Sequence, residues 1–359
     1  MKGTILLEDG SCYEGISIGV PGEKAGRIMM NTAVVGYQEM MTDPSNAGKI
    51  LILTYPLVGN YGVAKKFNES GKCWLSALII NEMSAISSNF QSETTLNKFI
   101  ISQNLITAGS IDTRTLALKI RESGELFCIV STKTANKTEL MNKLKSYKKE
   151  PLNDFISKIS TPKPKKLKGK PSAPFIAVLD LGMSNSFIKQ LRKLGCNILL
   201  LPYNTTASDI LKIKPGGLVI SNGPEEDAVI PQLSAAVKAL LGKIPMMGIS
   251  TGHEIICLAL GAKLKKMKAG HRGVNYPVTA PGSFKGEITV QNHSYSVDEA
   301  SLKKIKSVKV TLKNLNDNTV EEFESKLLRI LSVQYYPSCP GFNEVNNAFI
   351  RFLSIVKGK

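Results

Sequence analysis

Five consecutive residues, Gly248-Ile249-Ser250-Thr251-Gly252, have the types and spacing of a nucleophile elbow. A tight strand-to-helix turn needs small residues on both sides of its apex, so that one side chain is lifted clear of the sheet edge, and Gly248 and Gly252 meet that need. The chemistry such a turn serves is acyl transfer: the apex side chain attacks a carbonyl carbon while a neighbouring base takes its proton. With Ser250 at the apex the base would be a histidine, and chain order leaves His271 and His293, since His253 lies in the helix that the elbow itself starts. In purely structural terms the same residues make a glycine-rich loop, and the three histidines are hydrogen-bonded structural groups. No carboxylate or cysteine accompanies those histidines at ligand spacing, and no phosphate-binding loop occurs, so the sequence implies no metal site and no cofactor.

Such a turn has to be held by a sheet. Residues 175–180 (FIAVLD), 196–202, 217–221 and 245–249 are short apolar runs, and helical stretches at 186–194, 233–241 and 254–260 separate or follow them. That alternation predicts an α/β domain with a doubly wound, mostly parallel sheet. Ahead of it, residues 161–174 (TPKPKKLKGKPSAP) alternate proline with lysine and keep no apolar period, which predicts a linker. Before the linker, β-type runs at 3–7 and 49–54 mix with helical patterns at 94–101 and 114–122, an α+β arrangement. The expected organisation is two domains, residues 1–160 and 175–359, joined by 161–174.

Bulk properties agree with that division. A chain of 359 residues suits two domains of ordinary size, and 43% hydrophobic with 21% charged residues excludes a disordered chain. The six cysteines, Cys12, Cys73, Cys128, Cys196, Cys257 and Cys339, are scattered without a Cys-x-x-Cys pair and imply free thiols in a reducing compartment. Glu8 and Asp9 interrupt the N-terminal apolar run before a signal core or membrane span can form, so the expected location is the cytoplasm, away from membranes. The net charge of +17 would suit nucleic acid or an acidic partner. The lysines are spread along the whole chain and aromatics make up only 6%, which leaves neither a recognition helix nor a stacking platform, and nucleic acid is not the expected partner.

Longer stretches carry a family resemblance. GISTGHEIICLALG from Gly248 and KMKAGHRGVNYPV from Lys266 resemble the elbow region of the carbamoyl-phosphate synthase small subunit, a class I glutamine amidotransferase family. NTAVVGYQEMMTDP from Asn31, LTYPLVGNYG from Leu53 and GSIDTRTLALKIRE from Gly109 are similar to that family's N-terminal domain. SNGP from Ser221, QNH from Gln291 and SVQYYP from Ser332 fall where the family keeps its remaining amidotransferase motifs. The resemblance covers almost the entire chain and implies a small-subunit N-terminal domain followed by a class I glutamine amidotransferase domain. It also implies an activity, hydrolysis of glutamine by a Cys-His-Glu triad, and a partner, a large subunit that makes carbamoyl phosphate from the ammonia, bicarbonate and ATP.

Each position of that triad is changed. The elbow cysteine is Ser250, the histidine falls on Tyr336 and the glutamate on Ser338. A thiol with a pKa near ~8.5 is readily made a thiolate by an imidazole, whereas a hydroxyl needs a base in the transition state, and a phenol with a pKa near ~10 is a poor one. Triad loss of this kind lowers a rate by up to about 10⁶. The implied glutamine site consists of Ala33, Gly223, Glu225, Thr251, Glu254, Asn292, Ser294 and Tyr295. There the family has serine at Ala33, glycine at Glu225, glutamine at Glu254 and glycine at Ser294, so most positions are substituted and glutamine binding is doubtful. A Glu225 carboxylate about 5 Å from a developing oxyanion would repel it by about 3 kcal/mol at an effective dielectric near 20. The sequence therefore predicts a non-catalytic partner or regulator of the large subunit, which would use free ammonia. The alternatives are a glutamine-hydrolysing small subunit with an aberrant site and a serine hydrolase acting through Ser250.

Overall fold

The structure, a computed structural model, describes residues 2–149, 154–341 and 343–358. The chain divides into two compact units, Met1–Pro151 and Leu152–Lys359.

The first unit contains β1 (Lys2–Leu7), β2 (Cys12–Ser17), β3 (Glu23–Asn31), β4 (Ile50–Leu53), β5 (Leu57–Val58), β6 (Ala77–Ile79), β7 (Glu82–Met83), β8 (Ile106–Gly109) and β9 (Phe127–Ser131). Seven of these close a barrel in the order β1-β2-β8-β6-β4-β3-β9, and β5 pairs with β7. The run β3-β4-β6-β8 is parallel, and β1, β2 and β9 complete the ring with antiparallel pairs. β4, β6 and β8 are buried on both faces, so they read as short apolar runs in the sequence, whereas β2 keeps one face exposed. Ile5, Leu7, Ile50, Ile52 and Ile79 share one cluster, while Leu51, Leu53 and Leu78 turn to another. The helices are α1 (Tyr37–Thr42), α2 (Leu96–Ser102), α3 (Thr113–Ser123) and α4 (Lys137–Lys148). The Asp112 carboxylate caps α3 by accepting from Thr115 N at 3.0 Å, a contact worth about 1 kcal/mol. α3 adds Leu116 and Ile120 to the first cluster, and α4 lays Leu140 and Leu144 over Leu6 and Ile129.

The second unit follows the order α5 (Ile156–Ile159), β10 (Lys165–Leu167), β11 (Phe175–Asp180), α6 (Asn185–Lys193), β12 (Asn197–Pro202), α7 (Ala207–Ile213), β13 (Gly217–Ile220), α8 (Ile230–Lys238), β14 (Met246–Ile249), α9 (Thr251–Ala259), β15 (Leu264–Thr279), β16 (Gly286–Val297), α10 (Glu299–Leu302), β17 (Lys309–Asn314), β18 (Val320–Ser325), β19 (Ile330–Val333) and α11 (Asn347–Val356). Ten strands form one sheet, β10-β12-β11-β13-β14-β19-β18-β16-β15-β17. Its centre, β12-β11-β13-β14-β19, is parallel. Alternate residues of β11 face opposite layers: Ala177 and Leu179 pack with Leu233 and Val237 of α8 and Ile255 and Ile256 of α9, while Ile176 and Val178 pack with Phe187 of α6 and Phe349 and Phe352 of α11. Helices on both faces of a parallel sheet are the doubly wound arrangement. The strands beyond β19 are antiparallel, and β15 and β16 form two long arms of 16 and 12 residues.

The proline-lysine stretch at 161–174, whose composition predicts a linker, is structured. β10 pairs antiparallel with β12, Thr161 N donates to Asp180 Oδ2 at 2.8 Å, and Lys170 N donates to Gly195 O at 2.8 Å. An edge strand needs only one row of hydrogen bonds, so proline and lysine are compatible with it, and lysine there hinders further pairing. The division between units accordingly falls before α5, and Ile156 is part of the second unit's core. Among the described residues no helix is long and apolar enough to cross a membrane.

Candidate active site at the elbow

Ser250 occupies the junction of β14 and α9 with φ 52° and ψ −110°, a strained conformation for a residue with a Cβ. Close backbone packing makes this turn dependent on its glycines. A Cβ on Gly252 would stand 2.0 Å from Ile220 O, and one on Gly248 would stand 2.7 Å from Gly252 O. Ser250 N donates to Val333 O at 2.8 Å, and Ser250 O accepts from Glu254 N at 3.1 Å, so the apex is tied to β19 and begins α9. The side chain is another matter. Ser250 is 1% exposed, and its buried Oγ has no hydrogen-bond partner among the described residues. The elbow backbone is thus held in place while, among the described residues, nothing hydrogen-bonds the side chain at its apex.

Tyr336 and Ser338 lie just past β19. Tyr336 N donates to Val290 O at 2.8 Å, its hydroxyl accepts from Asn292 Nδ2 at 3.2 Å, and its ring stands edge-on to Phe187 at 5.5 Å. It is an apolar packing element with one hydrogen-bonded tip. Ser338 is half-buried; its N donates to Tyr336 O at 2.7 Å and its O accepts from Asn346 Nδ2 at 3.0 Å. Neither residue hydrogen-bonds Ser250 Oγ.

The other second-unit positions cluster around the loop after β13 and the end of β16. Gly223 O accepts from Thr251 Oγ1 at 2.5 Å, and a Cβ on Gly223 would meet Leu181 O at 2.3 Å, so only glycine fits. The half-buried Glu225 carboxylate accepts from Ser294 N at 2.6 Å. Arg272 donates from Nη1 to Asn292 Oδ1 at 2.6 Å and from Nη2 to Ser294 Oγ. The Tyr295 hydroxyl donates to Glu226 at 2.9 Å, and the Lys266 ammonium holds the same carboxylate. Glu254, 3% exposed, accepts from Gln334 Nε2 at 3.1 Å. Ala33 belongs to the first unit, just past β3, where its N donates to Asn31 Oδ1 at 2.8 Å.

No histidine reaches Ser250 Oγ. Burial drives the pKa of His253 down to about 3; its Nδ1 is 2.9 Å from Ser332 Oγ and its Nε2 has no partner. His271 and His293 meet on the antiparallel part of the sheet. His271 Nε2 is 2.9 Å from Asp317 Oδ2, His293 Nδ1 is 2.8 Å from Tyr295 O, and the other nitrogen of each ring is 2.8 Å from Gln291 Oε1. Glu321, fully buried on β18, brings Oε1 to 3.5 Å from His271 Nδ1 and 3.9 Å from His293 Nε2. Burial acts against a charge on His271, but Asp317 and Glu321 outweigh it and raise its pKa to about 9, whereas burial lowers that of His293 to about 4. Linear spacing placed no carboxylate beside these histidines; the pairing of β15, β16 and β18 supplies two. The next residue, Glu322, points the other way, to Arg351 Nη1 at 2.7 Å, Tyr335 OH at 2.9 Å and Thr311 Oγ1 at 2.6 Å.

The family profile described as carbamoyl-phosphate synthase small chain, CPSase domain, matches residues 5–130, and that of glutamine amidotransferase class-I matches residues 177–342. A carbamoyl phosphate synthase small chain from Clostridium acetobutylicum is 37% identical over 356 residues, covering 99% of this chain and 100% of the relative. One from Caldanaerobacter subterraneus subsp. tengcongensis is 38% identical over 99% of this chain and 97% of its own length. A chloroplastic small chain from Oryza sativa subsp. japonica is 36% identical over 98% of this chain and 82% of its own length.

Proposed function

The chain belongs to the carbamoyl phosphate synthase small chain family, and on that premise we propose that it has lost glutamine hydrolysis and acts as a non-catalytic partner or regulator of a large subunit that uses free ammonia. The observation that carries this reading is the buried Ser250 Oγ without a hydrogen-bond partner. A serine hydroxyl attacks a carbonyl only when a base takes its proton in the transition state. At the position where the resemblance implies the histidine, Tyr336 offers a phenol whose oxygen already accepts from Asn292. Ser338 brings no charge to orient or polarise a base. Substrate recognition is weakened as well: Glu225 occupies the Ser294 N–H with its own carboxylate, in the stretch that the resemblance sets against glutamine. Retention of the elbow backbone and of both folded units supports a surviving role in assembly with the large subunit.

The test is ammonia release from glutamine by the purified chain, with and without the matching large subunit, beside a Ser250→Ala control. The expected result is release no greater than in the control, together with ammonium-dependent synthesis by the large subunit that rises when this chain is added. Glutamine turnover above roughly 1 s⁻¹ that disappears in Ser250→Ala overturns the reading. Fluorophosphonate labelling of Ser250 would assign a serine hydrolase instead.

A further inference from the structure

The parallel order of β3, β4, β6 and β8 brings the carboxyl ends of four strands to one rim of the barrel. In parallel sheets that edge is where other molecules are received, because the loops that follow the strands converge on it. Thr32, Thr54, Asn81 and Ser110, each one or two residues past the end of its strand, line a cleft of about 790 Å³, and α3 forms one wall of it. Ser110 takes a left-handed φ of 55°, and its N–H donates to Asn81 O at 2.7 Å, which ties two of the loops together. Arg114, Leu118 and Arg121 line the cleft from α3 at i, i+4 and i+7, the spacing of a single helix face. All three are exposed, Leu118 by 51%. Among the described residues neither guanidinium forms a salt bridge or a hydrogen bond. Lys119 of the same helix, by contrast, pairs with Asp9 at 2.7 Å. The Asp112 carboxylate also lines the cleft but is committed to capping α3: Oδ1 accepts from Thr115 N at 3.0 Å and Oδ2 from Thr115 Oγ1 at 2.6 Å.

We propose that this rim is the face that docks on the large subunit, where it receives a segment carrying two carboxylates about 10 Å apart with an apolar side chain between them. The inference rests on the reading of the chain as a partner of that subunit and names the surface that makes the contact. Seven residues of helix set Arg114 and Arg121 about 10 Å apart along α3, with Leu118 between them. Two arginines without a partner in the chain, on a protein of net charge +17, complement an acidic surface, and their planar forks hold carboxylates bidentately. Apolar side chains carry the rim beyond the cleft: Val34 and Val35, 51% and 56% exposed, follow Thr32, and Leu57, 37% exposed, follows Pro56. An apolar contact flanked by charged ones is the usual anatomy of a protein interface. A small molecule suits the rim less well, since such ligands are held with roughly 70–90% of their surface buried, and here Thr32, Asn81, Ser110 and both arginines are exposed.

The test is the affinity of the full-length chain for the matching large subunit, measured by titration calorimetry at low and at high salt. Arg114→Glu combined with Arg121→Glu should bind at least about a hundredfold more weakly than the wild type and lose most of the salt dependence. Leu118→Ser, which leaves both charges in place, should bind about tenfold more weakly. Neither arginine is bonded within the chain, so the melting temperature of the double variant should match that of the wild type. Lys304→Glu combined with Lys306→Glu makes an equal change of charge at exposed residues of the second unit and should bind as the wild type does. Equal weakening by the lysine pair, or undiminished binding by the arginine pair, overturns the proposal while leaving the partnership standing. No binding by the wild-type chain removes the partnership itself and this face with it. A dimer of the chain alone that the arginine pair dissolves, with affinity for the large subunit unchanged, assigns the rim to a second copy and overturns the proposal as well.

Discussion

The elbow and the histidine cluster lie in the same sheet and have opposite characters. At the elbow the backbone is held at every point, by Val333 O, by the first turn of α9 and by two glycines against neighbouring carbonyls, while the side chain at its apex touches no polar partner. In the cluster the backbone is antiparallel strand with a register break on either side of His271–Gly273, and side chains make the architecture: both nitrogens of His271 and of His293 have partners. Fold and chemistry are therefore separable in this protein. A turn defined by backbone packing does not need the side chain at its apex, because among the described residues no polar group bonds that side chain.

The sharpest way to break the comparison is to attack the elbow backbone. In Gly252→Ala a methyl group would be placed 2.0 Å from Ile220 O; the expected loss is about 4 kcal/mol or more, read as a collapse of the guanidinium midpoint or of soluble yield. A midpoint within error of the wild type would mean the turn is not fixed by backbone contact. On the side-chain-built half, Arg351→Met leaves Glu322 buried without its cation, and about 3 kcal/mol of stability should go, measured by urea unfolding. Loss of under about 0.5 kcal/mol would show that Tyr335 and Thr311 suffice. Rebuilding chemistry comes next: Ser250→Cys alone should stay at background glutamine hydrolysis. Adding Tyr336→His, Ser338→Glu and Glu225→Gly should raise the rate at least about a hundredfold above that single variant, equivalent to about 2.7 kcal/mol. Activity in the single variant would show that a base is already present.

Per unit changed, the smallest effect is that of pH. The folded pKa of His253, about 3, lies below its unfolded value of 6.5, so between these limits the unfolded chain binds the extra proton. Stability should therefore fall as pH drops from 6.5 towards 3, by at most about 1.4 kcal/mol per pH unit from this group. His253→Asn, which cannot titrate, should flatten that slope in unfolding curves at pH 4, 5 and 6; an unchanged slope would place the dependence elsewhere.

Much of this was legible in the sequence for a physical reason. Apolar runs at 175–180, 196–202, 217–221 and 245–249 became β11 to β14, because a strand buried on both faces leaves little choice of residue. The elbow could be read because only glycine fits at Gly248 and Gly252. The strand at Lys165–Leu167 was missed, since edge pairing asks little of composition and the same prolines and lysines suit a linker. The barrel and the arms β15 and β16 were equally hidden: ring closure and arm pairing are long-range events with no local signature. Glu321 beside the histidines went unseen for the same cause, as three strands had to meet before the carboxylate had neighbours.

The left-handed φ of Ser250 also bears on how such a chain can change with time. Backbone strain of about 1–3 kcal/mol is held at that residue. In a working hydrolase a glycine at the apex would relax the turn but remove the nucleophile, so that route is closed by selection. Among the described residues the Oγ has no hydrogen-bond partner to lose, and a mutation to glycine would release that strain while adding freedom to the unfolded chain. Such a step would be hard to reverse. Until it is taken, the apex still presents a side chain one atom away from a cysteine.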